Sequence, residues 1–529
     1  MSAPREKTEH TPAKPVARLG ERASGLLLHV TSLPGPHGNG DLGTAAREFV
    51  DFSADAKQSF WQMLPVGPCG YGNSPYSAQS AFAGNPLLIA LPDLVERGWL
   101  AAEELRPPIA FEADRVDYAD AERFRTRCLR RAFEVGRRDP KFPAYCEEHR
   151  AWLDDYALFR AIKSAHAEVE WTRWRPELRD REPEALARTR REMADEIAFR
   201  SFEQWVFAEQ WRELRAYCHA RGVALIGDLP IFLAHDSADV WQHPELFYLD
   251  AQGMPTVVAG VPPDYFSATG QRWGNPLYRW DVVRDTGYRF WLDRMHDMLE
   301  RFDIVRLDHF IGFHRYWEIP ADEPTAVHGH WRPGPGETLF ATLARELGPL
   351  PLIAEDLGAV TPEVTALRDR FGLPGIRLLQ FAFGTDVSAH DFLPHNYPRA
   401  AVVYTGTHDN DTVVGWFEAR EELAAAGEHS TRTAEQVKKE QAAALAYLGA
   451  ADGSNIHWDM IRMCLLSVAD TAIFPLQDLL GLGSEARMNR PGRASGNWEW
   501  RCTQAAFSPA LAEKLADLTR RYERHRTGE

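Results

Sequence analysis

Cysteine is scarce in this chain. Six occur among 529 residues, at Cys69, Cys128, Cys146, Cys218, Cys464 and Cys502, and none forms a CxxC pair. That spacing excludes a disulfide framework and a zinc knuckle and fits a reducing compartment. Long apolar runs are also missing, since none approaches the roughly 18–20 residues that span a bilayer. The opening stretch MSAPREKTEHTPAKPVARLG lacks the apolar centre of a signal peptide, so residues 1–20 are expected to be a disordered, charged tail. Together these features predict a cytoplasmic protein without membrane association. Basic blocks are absent too: 60 Lys and Arg face 76 Asp and Glu, for a formal charge of -16. A nucleic-acid partner is therefore excluded as the expectation. The stretch GYGNSPYS has neither a lysine nor the GxxxxGK[ST] spacing, so it is no phosphate loop. No Cys/His set with metal-ligand spacing and no internal repeat occurs, and neither a metal nor another cofactor is expected.

What remains is a chain that is 44% hydrophobic and 26% charged, with a mean hydropathy of -0.39 and ample length for a large core. Eight short apolar runs recur, each closing on polar residues or glycine. They begin at Gly25, Phe60, Val223, Asp303, Pro351, Gly375, Ala400 and Thr471. Continuous apolar runs suit parallel strands covered on both faces. Helical patterns lie between several of them. Phe207, Trp211, Leu214 and Cys218 share one stripe ahead of a capping Gly222, and Trp291, Met295 and Met298 share another. Strand–helix alternation with about eight strands predicts an α/β fold, a (β/α)8 TIM barrel with large inserted subdomains between strands. A doubly wound open sheet is the alternative. The expected catalytic barrel covers 21–529. It includes a largely helical, charged insertion at 91–222 and an aromatic, Gly-rich loop region at 236–285, long enough to be functional.

In such a barrel the chemistry sits where the strands end. Those ends carry Asp228, Arg306, Asp308, Glu355 or Asp356, His408, Asp409 and Asp478. In FDIVRLDHFIGF (302–313), Ile304, Arg306 and Asp308 share one face of the strand, while Val305 and Leu307 face outward. An adjacent guanidinium favours an ionised carboxylate, which is what a nucleophile requires, but a buried structural ion pair has the same spacing. In LIAEDLG, alternation puts Glu355 and Asp356 on opposite faces without saying which faces the axis. His408, Asp409 and Asp411 in TGTHDND fit a loop or a helix cap as well as a site. Several strand ends nonetheless converge on acids, and a carboxylate pair is what glycosidic bond cleavage needs: a nucleophile and an acid/base.

Two loops add a sugar-binding character. Residues 67–86 present Tyr71, Tyr76 and Phe82 among turn residues, and residues 260–280 present Tyr265, Phe266, Trp273 and Tyr278. Aromatic rings offer flat apolar faces to sugar C–H groups, although rings of this kind also pack loops onto a barrel.

With these residues assembled, the sequence resembles the 4-α-glucanotransferases (amylomaltases, disproportionating enzymes) of glycoside hydrolase family 77, from about Gly25 to Arg501. The resemblance rests on HVTSLPGPHGNGDLG, GYGNSPY, GDLPIF, GVPPDYFSATGQRWGNPLY, VRLDHF, AEDLG, TGTHDND and GLGSEARMNRPG, in that order. It implies a retaining mechanism on a barrel related to the α-amylases. Asp308 would be the nucleophile, Glu355 the acid/base, and Asp409, aided by His408, the stabiliser of the distorted sugar. Arg306 would orient Asp308, Asp228 and Tyr71 would line the same subsite, and Tyr265, Phe266, Gln271 and Trp273 would guide the acceptor. The implied donors are α-1,4-glucans and maltooligosaccharides, with glucose or a maltooligosaccharide as acceptor. Cys69 and Ile311 depart from the family pattern. An α-glucan hydrolase would use the same carboxylates, and a Mg²⁺-dependent barrel could use Asp308, Glu355 and Asp409 as oxygen ligands.

Overall fold

A computed structural model of the protein describes residues 16–263, 267–384, 387–420, 433–493 and 495–525. In chain order its strands are β1 (Ala23–Leu27), β2 (Phe60–Gln62), β3 (Ala224–Leu229), β4 (Val257–Val261), β5 (Gln271–Pro276) and β6 (Ile304–Leu307). They continue with β7 (Arg315–Pro320), β8 (His330–Pro333), β9 (Leu352–Ala354), β10 (Gly375–Leu378), β11 (Ala401–Tyr404) and β12 (Thr471–Pro475). Eight of them close into a parallel barrel in the order β1-β12-β11-β10-β9-β6-β3-β2. These are the eight apolar runs of the sequence, and the fold is the (β/α)8 barrel rather than an open sheet.

Alternation within each strand separates two apolar layers. Leu27, Phe60, Ile226, Ile304, Ile353, Ile376, Val402, Tyr404 and Ile473 fill the barrel interior. Leu225, Val305, Leu307, Leu352, Val403 and Phe474 pack outward beneath the helices. On β6, Ile304 thus points inward and Val305 and Leu307 outward, so Arg306 must project into the barrel mouth. Burying these side chains removes a continuous apolar surface from water, about 1.5–3 kcal/mol for each large aliphatic residue.

Between β2 and β3 the chain forms helices, the longest being Tyr118–Gly136, Arg150–Ala165 and Ala194–Ala220. The last of these buries Phe207, Trp211, Leu214 and Cys218, and Trp211 meets Phe302 edge-on at 5.1 Å beside β6. It ends on Gly222, whose φ of 76° reverses the chain into β3 at no steric cost. The helix Arg289–Arg301 buries Trp291, Met295 and Met298, with Arg294 on the same side.

The 236–285 region differs from the loop expected. It contains the helix Ala238–Gln242, the strands β4 and β5, and the helix Trp280–Asp285. β4 and β5 belong to a four-stranded antiparallel sheet, β5-β4-β7-β8. This sheet stands at the barrel mouth because β7 follows β6 after a short helix, Ile311–His314. Ile311 is buried in the core as the first residue of that helix. Of the expected tail, residues 1–15 lie outside the described residues, and Ala17 is buried. Among the described residues no helix is long and apolar enough to cross a membrane.

Candidate active site

Register brings the first three polar residues together. β3 and β6 pair Asp228 with Arg306, and Asp308 follows β6 two residues later on the same face. Arg306 Nη1 donates to both oxygens of Asp228 at 2.8 Å and to Asp308 Oδ1 at 2.9 Å. The Asp228 and Arg306 side chains are 0% and 5% exposed, whereas Asp308 is 28% exposed and open to the mouth. Burial pushes the Asp228 carboxyl up, against the pull of Arg306, and Asp308 nearby adds to the rise. Burial alone would lower the Arg306 pKa, but Asp228 and Asp308 hold it well above its ordinary value. Arg306 is therefore a fixed cation between two acids.

The phase of β9 resolves the adjacent acids. Leu307 pairs with Ala354, so the residues just beyond the two strands, Asp308 and Glu355, are neighbours at the mouth. Glu355 Oε2 accepts the His309 amide at 2.7 Å, and Oε1 lies 3.2 Å from the Leu357 amide. Asp356 points the other way. It is buried, ion-paired with Arg368, and accepts the Ile376 amide at 2.8 Å. Burial pushes the Glu355 carboxyl up to about 8, Arg306 opposes this, Asp308 reinforces it, and the His309 amide opposes it again. Such a carboxyl carries a proton at neutral pH and can deliver it.

The third acid comes from the loop after β11. Asp409 Oδ1 accepts from Asn489 Nδ2 at 2.6 Å, and Oδ2 lies 3.3 Å from His408 Nε2. The Asp409 side chain is 48% exposed, and the partial desolvation works to raise its pKa, but His408, its hydrogen bonds to His408 and Asn489, and Arg306 together hold the carboxyl well below its ordinary range. Arg487 Nη2 donates to the Asp409 carbonyl at 2.7 Å, and the Asn489 amide donates to the His408 carbonyl at 3.1 Å. Tyr76 connects this group to the first. Its ring stacks on His408 at 5.1 Å and 16°, and its hydroxyl donates to Asp228 Oδ2 at 2.9 Å. One polar network thus runs from Asp409 through His408, Tyr76, Asp228 and Arg306 to Asp308.

Other expected residues fall elsewhere. Tyr71, expected to line the same subsite as Asp228, is 84% exposed on the turn Tyr71–Asn73, and the tyrosine that bonds Asp228 is Tyr76. Trp273 stands on β5 with its ring edge-on to His309 at 4.9 Å, and its Nε1 donates to Gln271 Oε1 at 3.1 Å. Tyr265 and Phe266 lie outside the described residues. Asp478 is fully buried, accepting Thr405 Oγ1 at 2.6 Å and the Val413 amide at 2.7 Å. Burial pushes its carboxyl up to about 6 against those two bonds. It braces the loop that carries Asp409. Asn489 and Arg487 are not apparent from the sequence alone, and Tyr76 stands there only among the loop aromatics, with no role of its own. The signal for the first two was the motif GLGSEARMNRPG, which carried resemblance but no assigned role.

Asp308, Glu355 and Asp409 thus gather at the mouth of a parallel barrel, and paired carboxylates there suit glycosidic bond cleavage. The model of the family Glyco_hydro_77, 4-alpha-glucanotransferase, matches residues 28–506. The chain belongs to this family. It is 50% identical over 514 residues to the 4-alpha-glucanotransferase of Thermus thermophilus, covering 95% of this chain and 99% of that protein. It is 48% identical over 515 residues to the Synechocystis 4-alpha-glucanotransferase, covering 96% and 99%. Among solved structures, the amylomaltase of Streptococcus agalactiae in complex with acarbose superposes with a TM-score of 0.89 at 36% identity, covering 96% of this chain and all of that one. All the acids described above lie within the span that the glucanotransferase family matches.

Proposed function

We propose that this glucanotransferase works by double displacement, with Asp308 as nucleophile and Glu355 as acid/base. Asp308 attacks the anomeric carbon of an α-1,4-linked donor while Glu355 protonates the departing 4-oxygen. The C1–O4 bond breaks, a glycosyl ester forms on Asp308, and the shortened glucan leaves. An acceptor 4-hydroxyl then attacks the same carbon, gives its proton to Glu355 and releases the Asp308 carboxylate. Two inversions at one carbon return the α-configuration. Asp409, held by Asn489 and His408, faces the positive charge that builds on the sugar. Arg306 orients Asp308, and Tyr76 supplies an aromatic wall beside Asp228. Gln271 and Trp273 bound the acceptor side, where Tyr265 and Phe266 also fall by sequence. The donors are α-1,4-glucans and maltooligosaccharides, and the acceptors are glucose or another maltooligosaccharide. The helical segment 91–222 and the four-stranded sheet read as insertions in one catalytic barrel.

The observation that carries this reading is the split between neighbouring acids. Glu355 is pushed up to about 8, while Asp308, beside it, faces the Arg306 guanidinium. Glu355 is arranged to hold a proton, and Asp308 is oriented by a cation and open to the mouth. The same guanidinium already pairs with Asp308, one of the three acids that the Mg²⁺ alternative would share with Glu355 and Asp409, and this favours the glycosyl mechanism. Incubation with maltotriose tests the proposal. A ladder of longer and shorter maltooligosaccharides, persisting after exhaustive chelation, is expected. Glucose and maltose alone would indicate a hydrolase, and loss of activity on chelation would indicate a metal enzyme.

A further inference from the structure

His309 directly follows Asp308, and no part of the double displacement requires its side chain. Its backbone is left-handed, with φ of 51°, a conformation uncommon outside glycine, asparagine, aspartate and histidine. That turn directs its N–H at Glu355 Oε2, 2.7 Å away. The following amides secure the turn: Phe310 donates to the Glu355 carbonyl at 3.0 Å and Gly312 to the His309 carbonyl at 2.9 Å.

The imidazole is a buried wedge. Trp273 meets it edge-on at 4.9 Å and 88°, and Phe232 lies at 6.5 Å. On its other side is Gly312, where an added Cβ would stand 3.0 Å from the ring, tighter than carbon contacts normally allow. Its Nε2 is buried without a hydrogen-bond partner among the described residues. Burial pushes the imidazole down to about 4, against the pull of Asp308, so the ring is neutral near pH 7. The ring acts as packing, and the main chain does the polar work.

We infer that His309 is a positioning residue whose left-handed backbone holds its amide on the ionised carboxylate of Glu355. The inference rests on the reading of Glu355 as acid/base. Glu355 must be neutral to protonate the leaving oxygen and anionic to accept the incoming hydroxyl proton. Burial, Asp308 and the adjacent Asp356 all favour the neutral form, and Arg306 and the His309 amide favour the anion. Tyr404 on β11 also faces this group, neutral because burial raises its hydroxyl. The His309 amide sits on Oε2 at 2.7 Å by the turn of a single residue, while the Leu357 amide meets Oε1 at the longer 3.2 Å. Trp273, on the acceptor-side strand β5, presses on that same residue.

The test replaces the amide and the conformation separately. Incorporating the α-hydroxy analogue of histidine at 309 exchanges the N–H for an ester oxygen and leaves the side chain in place. His309→Val disfavours the left-handed backbone, whereas His309→Gly and His309→Asn tolerate it. The protonation of Glu355 is read by infrared difference titration against Glu355→Gln, alongside the alkaline limb of kcat/KM. The ester and His309→Val should raise the Glu355 titration by about one unit, since a hydrogen bond to the charged form is lost. His309→Gly and His309→Asn should leave it in place. Should His309→Val not fold, the ester variant decides alone. An unmoved carboxyl in the ester variant, or an equal shift in His309→Gly, would overturn the inference. A carboxyl that moves while the alkaline limb stays fixed would leave the His309 contact standing and contradict the acid/base role of Glu355.

Discussion

One nitrogen of Arg306 bonds both Asp228 and Asp308, at 2.8 and 2.9 Å. Two acids on neighbouring strands therefore share a single cation at the base of the site, and neither can be considered without it. Asp228 lies behind the guanidinium and Asp308 in front, so the guanidinium fixes the position of the acid that faces the mouth.

Removing that cation should damage both fold and chemistry. Arg306→Ala leaves Asp228 buried and unpaired, which costs about 3–5 kcal/mol in comparable buried pairs. Turnover should fall by orders of magnitude as well. Arg306→Lys keeps the charge but not the rigid planar fork, so its stability loss should be smaller while turnover still falls. Thermal denaturation together with kcat on maltotriose separates the two effects.

The pH profile follows from Glu355. With its carboxyl pushed up to about 8, the proton needed by the leaving group is lost as pH rises through that value. kcat/KM should decline there, and Glu355→Gln should abolish the limb along with most of the activity. Stability carries the same sign. A carboxyl raised on folding binds its proton more tightly in the folded state, so its contribution is present below the unfolded value and lost as pH rises towards about 8. Glu355→Gln should therefore gain thermal stability relative to the parent at pH 8 more than at pH 5.

Adjacent acids should behave oppositely. Asp356→Ala leaves the Ile376 amide unpaired in the interior and Arg368 with Asp369 alone, for a loss of about 1–3 kcal/mol. Its turnover, measured well below the melting transition, should stay within about an order of magnitude, since none of its contacts faces the mouth. Glu355→Gln should do the reverse, keeping the fold and losing turnover.

Asn489 offers a gentler perturbation. Its amide donates to Asp409 Oδ1, and its backbone holds the His408 carbonyl. Asn489→Ala should lower kcat/KM roughly tenfold through loss of one hydrogen bond to a charged group. Asn489→Asp should be worse, because it sets a second carboxylate against Asp409. Steady-state kinetics on maltotriose, with circular dichroism as a folding control, ranks the two.

Much of this was legible in the residues, for reasons that differ from place to place. The eight apolar runs became barrel strands because burial on both faces leaves no room for polar alternation. Ile304 and Arg306 against Val305 and Leu307 followed from the period of a strand. Other features depended on contacts distant in the chain. Alternation put Glu355 and Asp356 on opposite faces, but only the pairing of Leu307 with Ala354 sets the phase. β4 and β5 read as loop because glycine, proline and aromatics dominate their segment, and β7, which pairs with β4, lies beyond the barrel strand β6. Tyr71 and Tyr76 share one turn-rich stretch, and the path of that loop, not its composition, decides which tyrosine reaches Asp228. Asn489 meets Asp409 only because the chain after β12 folds back over the barrel mouth.

The covalent intermediate on Asp308 is the most direct point of test. Glu355→Gln enzyme, which cannot promote the second displacement, is incubated with a maltosyl fluoride, whose leaving group needs no protonation. The product is then digested and read by mass spectrometry. A maltosyl ester on the peptide carrying Asp308, absent from Asp308→Asn, is the expected result. An ester on the peptide of Asp228 or Asp409, or none while fluoride is released, would contradict the account.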